Sequence, residues 1–241
     1  MDQYIDMHSH ILPGVDDGAA DYAMSMRMLR LAAAEHIGQI ILTPHHKPMR
    51  RNVSREGMQK RMEKLREAIA EEKLPLQLYS GSELYYSSEL LEELEKGEAC
   101  TLADTPYLLI EFDPGEAFER IRNGLYQMLS GGYRPILAHA ERYRSLAAKM
   151  ERVEELTQMG AYIQINAGSV TGKFGFQTRQ AARQLLKTGQ VHLAATDAHD
   201  EGRRGPFLKE CGDYIRKKYG QEYERQLLSI NPAKIIAGEY I

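Results

Sequence analysis

The chain has very little cysteine: Cys100 and Cys211 are the only two in 241 residues. That excludes a disulfide framework and makes the reducing cytoplasm the default compartment. No apolar run approaches the roughly 18 residues that a membrane span needs, so no membrane insertion is expected. The opening MDQYIDMHSH lacks a basic segment followed by an apolar one, which argues against a signal peptide. Neither sign of charge dominates, the net charge being −3, and this speaks against wholesale nucleic-acid binding. Two phosphate-handling devices are also missing. No GxGxxG follows the first β-prone run, and neither cysteine opens a C-x5-R loop, because Pro106 and Lys217 occupy the arginine positions. There is no low-complexity tract, linker or internal repeat. With 43% hydrophobic residues, the chain suits a single domain spanning 1–241.

What is present is an alternation. β-rich runs fall at 4–8, 39–44, 76–81, 107–112, 135–140, 162–168 and 191–199. Between them lie helical segments. SREGMQKRMEKLREAIAEEKL offers Ser54 as N-cap and spaces Met58, Met62, Leu65 and Ile69 at helical intervals. SSELLEELEKG, NGLYQMLSGG and EELTQMGA read as helix ends. Met24, Met26, Met28, Leu29 and Leu31 suggest a core-facing helix stripe. Strands alternating with helices imply parallel pairing, and seven strands at this length predict a closed or nearly closed α/β barrel.

Metal-capable side chains recur at the ends of these runs: His8 and His10, His45 and His46, Glu83, Glu111, His139, then Asp197 with His199. The steps from His8 are 37, 38, 28, 28 and 58 residues to His45, Glu83, Glu111, His139 and Asp197, the last covering two strand–helix units. A parallel barrel brings all C-terminal strand ends to one face, so these positions converge. Residues i and i+2 of a strand share a face, which pairs His8 with His10 and Asp197 with His199. A carboxylate after the buried run LLI, as at Glu111, costs several kcal/mol unless paired or metal-bound. His46 should point away from His45, His36 sits late in a helix, and His192 starts its strand on the opposite face. With Asp17, nine candidates remain, too many for one ion. Imidazole and carboxylate suit Mn, Fe or Zn, and three ions sharing a bridging Glu would use the set. Multi-metal sites suit phosphoryl and ester hydrolysis.

DMHSHILPGVDDG, LTPHH, GSELYY, LIEF, AHAERY and ATDAH together resemble the PHP (polymerase and histidinol phosphatase) superfamily. They look most like its manganese-dependent tyrosine-protein phosphatases of bacterial capsule and exopolysaccharide systems. The likeness runs from Asp6 to the NPAKII segment. It implies a distorted (β/α)7 barrel with a trinuclear, Mn-type site. His8, His10, Glu83 and Asp197 would hold one ion; Glu83, Glu111 and His139 a second; Asp17, His45 and His199 a third. It also implies phosphate-binding arginines at Arg142 and Arg204, with Arg203 a neighbour able to take the latter role.

The expected reaction is phosphotyrosine hydrolysis by metal-activated water on a bacterial tyrosine kinase, with a phosphoesterase of histidinol phosphate as the alternative. Asp200 is a candidate acid for the leaving group. KPMRR at 47–51 and GSVTGKFGFQ at 168–177, with Phe174 and Phe176, are candidate specificity loops. An amidohydrolase-like activity is disfavoured by Arg142, because a neutral amide needs no phosphate clamp. A non-catalytic scaffold is disfavoured by the intact ligand set.

Overall fold

The computed structural model describes residues 3–48, 50, 52–147 and 149–241; Met49 and Arg51 of the KPMRR loop lie outside them. Among the described residues there are nine strands, seven on the predicted runs and two short ones, β3 and β5, beyond them: β1 (Tyr4–Ser9), β2 (Ile37–Leu42), β3 (His45–His46), β4 (Gln77–Ser80), β5 (Glu83–Tyr85), β6 (Tyr107–Glu111), β7 (Arg134–Leu137), β8 (Tyr162–Asn166) and β9 (Leu193–Ala195). The second and third runs are each followed by one of these short strands. Pro44 cannot donate to a ladder, so pairing is interrupted there between β2 and β3. The third run ends at Gly81, where any Cβ would lie 2.8 Å from Ile41 and 2.9 Å from Leu102.

All strand pairs are parallel, in the orders β1-β2-β4 and β3-β5-β6-β7-β8-β9. The two ends of this arrangement also touch. Ser9 bridges Ala198, His10 N donates to the Ala198 carbonyl at 2.8 Å, and Asp197 N donates to the His8 carbonyl at 2.9 Å. The fold is thus α/β with a curled parallel sheet.

Alternation along the strands sorts two hydrophobic layers. Ile5, Met7, Leu109, Ile136, Leu193 and Ala195 fill the inside of the curl, closed from below by Ile235. Leu108, Ile110, Leu137, Ile163 and Ala194 face outward to the helices. The principal helices are α1 (Tyr22–Ala34), α2 (Arg55–Glu71), α3 (Leu90–Glu95), α4 (Phe118–Ser130), α5 (Met150–Met159), α6 (Ala167–Thr171), α7 (Phe176–Thr188) and α8 (Lys209–Tyr219). Ser54 caps α2 as expected, accepting from Gly57 N, and Met58, Met62, Leu65 and Ile69 are all buried. In α1 the buried face is Met26, Met28 and Leu29, while Met24 and Leu31 are only partly covered. His36 is not helical: it lies past the end of α1 with φ +63°, the left-handed position that stops a helix. Among the described residues no helix is long and apolar enough to cross a membrane.

Candidate metal centre

The strand ends deliver the side chains, but not always from inside a strand. Pairing between β1 and β2 slips between Asp6 and Ser9. Strict alternation would put Met7 and His8 on opposite faces; the slip lets Met7 fill the interior while His8 and His10 also turn into the site. Glu83 opens β5 rather than closing a strand. His139 and Asp197 stand two residues beyond β7 and β9 with φ of +34° and +52°. The expected strand geometry for Asp197 and His199 is therefore absent, and left-handed backbone at Asp197 re-aims the pair instead. Such conformations persist in non-glycine residues only where the surroundings enforce them.

These residues meet. His8 Nε2 and His10 Nε2 lie 3.2 Å apart, and 3.3 and 3.2 Å from Glu83 Oε2. Both nitrogens are 3.5 Å from Asp197 Oδ1. The other Glu83 oxygen, Oε1, is 2.9 Å from His139 Nε2, which is 3.5 Å from Glu111 Oε1. Asp17 Oδ1 is 3.3 Å from His45 Nε2 and 3.6 Å from His199 Nε2. Among the described residues there are three clusters, the donor atoms of each lying within 4.8 Å of one another: His10–Asp17–His45–His199, His8–His10–Asp197 and His45–Glu83–Glu111. His45 stands between two of them. It shows Nε2 to Asp17 and Nδ1 to Glu83 and Glu111, at 3.0 and 3.7 Å.

Neighbours hold the other ring nitrogens. His10 Nδ1 bonds Asp16 Oδ2 at 2.8 Å, His199 Nδ1 the Asp197 carbonyl at 2.9 Å, and His8 Nδ1 is 3.3 Å from Gln164 Oε1. This fixes tautomers so that the Nε2 lone pairs face inward. Gln164 Oε1 also accepts from His139 N, while its amide donates to Asn166 Oδ1; Asn166 Nδ2 in turn donates to Asp197 Oδ2 at 2.8 Å. Asp6 accepts from Thr196 N and Oγ1, tying β1 to β9. The supporting roles of Asp6, Asp16, Gln164, Asn166 and Thr196 escaped sequence reasoning. YIQIN carried a readable signal, since two amides at i and i+2 of a buried strand demand partners.

The electrostatics are those of a cation site. Burial alone would lower the pKa of His10, yet Asp16 and Glu83 override it and raise it to about 10. His139 is likewise raised to about 10 against its burial, by Glu111 and Glu83. Burial works against ionisation of Glu83, but the surrounding imidazoles hold its carboxyl well below the usual range, and Asp197 is lowered in the same way. His199 goes the other way, down to about 3, from burial and the nearby His10 charge. His45 Nδ1 is buried without a well-formed hydrogen bond although Glu83 Oε2 is 3.0 Å away. A set of imidazoles and carboxylates with such an orphaned donor fits divalent ions.

Beside the cluster opens a cleft of about 330 Å³ lined by Arg142, Asn166, Phe174, Thr178, Asp197, Arg203 and Arg204. Arg204 reaches both Asp197 oxygens at 3.1 and 3.2 Å, and Arg142 Nη1 lies 3.6 Å from Oδ2. Arg203 lines the same cleft but spends its Nε on the Lys173 carbonyl. Of the two phenylalanines, only Phe174 lines it; Phe176 stands 68% exposed at the start of α7. Asp200 is occupied, its Oδ1 accepting from Gly202 N and Arg204 N in the turn that presents Arg204. His46 turns away to Glu93 at 2.9 Å, and His192 accepts from Ile163 N at the opposite end.

Comparison with known proteins identifies the family. The family model described as capsular polysaccharide synthesis, CpsB/CapC, matches residues 4–237. Tyrosine-protein phosphatase CpsB of Streptococcus pneumoniae is 35% identical over 98% of this chain and 100% of its own length. Tyrosine-protein phosphatase YwqE of Bacillus subtilis is 34% identical over 90% of this chain and 86% of its own. A crystal structure from work on YwqE and CpsB, described as unique metal-dependent tyrosine phosphatases, superposes with a TM-score of 0.92 at 32% identity, covering 98% of this chain and 96% of that one. The Escherichia coli phosphotriesterase homology protein shares the fold alone, at TM-score 0.62 and 13% identity, covering 97% of this chain and 98% of that one.

Proposed function

The chain belongs to the CpsB/CapC family of capsular polysaccharide synthesis, and we propose that it works as a metal-dependent tyrosine-protein phosphatase on a single distorted (β/α)7 barrel of the PHP type. The observation that carries this reading is Glu83. One carboxylate presents an oxygen to His8 and His10 and the other oxygen to His139, and Asp197 beside them lines an open cleft with Arg142, Arg203 and Arg204.

His8, His10, Glu83 and Asp197 would hold one ion, Glu83, Glu111 and His139 a second, and Asp17, His45 and His199 a third, with manganese the metal. The contact distances within these groups support the reading, with His45 also facing Glu83 and Glu111 of the second group. Bound divalent ions supply Lewis acidity toward phosphoryl oxygens and lower the pKa of water. The chain's own groups do the rest. Arg142 and Arg204 bind the phosphate with planar guanidinium forks. Phe174 walls the cleft against the phenyl ring. Gln164, Asn166 and Asp16 keep the imidazoles and Asp197 in register. A tyrosyl oxygen leaves with a pKa near 10, so weak protonation suffices and no carboxylic acid need be dedicated to it.

The substrate would be a bacterial tyrosine kinase of the capsule or exopolysaccharide system, met in the cytoplasm. The family match supports the first point, and two buried, unpaired cysteines support the second. The test compares Mn-reloaded protein on a tyrosine-phosphorylated kinase tail and on histidinol phosphate, repeated with His139→Ala and Arg142→Ala. Preference for the tail, lost in both variants, is the expected result. Preference for histidinol phosphate, or activity that survives His139→Ala, would refute the reading.

A further inference from the structure

The cleft has a lip that the chemistry at phosphorus leaves unused. It is built by the segment leading into α7. Gly172 and Gly175 take φ of +92° and +100°, and the second of these turns separates Phe174, which faces the cleft, from Phe176, which faces solvent. The Arg179 guanidinium lies 5.5 Å from the centre of the exposed Phe176 ring. Lys173 sits at the other end, its ammonium 3.9 Å from the Phe207 ring and its carbonyl accepting from Arg203 Nε. Two loops are thereby locked together, and the lip is preformed.

Its charge is one-sided. Residues 156–196 contain no Asp or Glu, while Lys173, Arg179, Arg183 and Lys187 are all basic. Arg183 is turned inward, donating to the Val170 carbonyl and stacking on Tyr214, so Lys173 and Arg179 are the cations that flank the cleft on this side. The nearest acid lining the cleft, Asp197, already faces Arg204 and Arg142. An exposed aromatic under a cation, continuous with a cleft already holding three arginines, is complementary to an acidic polypeptide.

Resting on the phosphatase reading, we propose that Lys173, Phe176 and Arg179 form the docking surface for the polypeptide flanking the phosphotyrosine, and that they select acidic residues there. Arg179 and Lys173 pair with the flanking carboxylates, and Phe176 packs against the apolar backbone and side-chain stems. A small aryl phosphate, having no flanks, never reaches this surface.

The experiment measures kcat and KM of the Mn-loaded protein on two phosphotyrosyl peptides, one flanked by acidic residues and one by glutamines, and on para-nitrophenyl phosphate. Arg179→Glu, Lys173→Glu and Phe176→Ala are carried through the same set. The parent should prefer the acidic peptide by about fivefold or more, mainly through KM, and lose that preference at high salt. Either charge reversal should abolish the preference, and Phe176→Ala should raise KM for both peptides, with para-nitrophenyl phosphate turnover unchanged. Equal efficiency on the two peptides in the parent would overturn the proposal. So would variants that lose both peptide and small-substrate activity in parallel, since the lip would then only prop the loop. A parent inactive on all three substrates would overturn the phosphatase reading itself, and the docking surface with it.

Discussion

At the level of single residues, His8, His10 and His199 are each tied through Nδ1 and aimed by Nε2, while His45 shows both ring nitrogens to carboxylates. Gln164 links two ligand-bearing segments, touching the His8 ring, the His139 backbone and Asn166. Gln164→Ala should weaken metal binding by about 10–100-fold while leaving the fold intact, as a calorimetric Mn titration with a parallel circular dichroism spectrum would show. Protons compete for the same places. His10 and His139 are raised to about 10, so both are protonated at neutral pH in the metal-free protein and must give up those protons to bind an ion. Metal affinity should therefore rise with pH from about 6 to 9, by up to about tenfold per unit for each proton released. Titration in buffers of different ionisation enthalpy reads that release directly, and a pH-independent affinity would contradict the account.

At the level of elements, the strand–helix alternation was visible because each unit carries both periods and its own punctuation. Ser54, Gly160 and the Met58–Met62–Leu65–Ile69 stripe act locally, and they stand where the sequence places them. Sequence patterning did not reveal the irregular backbone at the strand ends. The slip after Asp6, the break at Gly81 and the left-handed turns at His139 and Asp197 depend on contacts far along the chain, such as Asp197 N to the His8 carbonyl. Side-chain convergence was readable because it follows from parallel topology. Which nitrogen faces which carboxylate was not, because His45 faces two clusters and spacing says nothing of ring orientation. One element is especially exposed to test. A Cβ on Gly168 would fall 2.7 Å from the Phe174 ring, so Gly168→Ala should displace the cleft wall and raise KM for aryl phosphates. Met62, fully buried in α2, lies away from that wall; Met62→Ala should cost about 2–5 kcal/mol in urea unfolding with KM unchanged.

For the whole molecule, the curled sheet separates two tasks. Ile5, Met7, Leu109, Ile136 and Leu193 pack its interior, and the candidate metal ligands gather at the C-terminal rim. Ions bound at that rim, as proposed, would join stability to chemistry. Adding Mn at about 100 times its dissociation constant should stabilise the fold by about 2.7 kcal/mol per independent site, seen as a rise in melting temperature that chelation reverses. The central claim is that one carboxylate, Glu83, organises a shared multi-ion site. Elemental analysis of purified, Mn-loaded protein with Glu83→Gln beside the parent tests it most directly. The account predicts three ions per chain in the parent, and a variant that loses the two ions sharing Glu83 together with phosphotyrosine turnover. A variant that keeps the parent's metal content would contradict it.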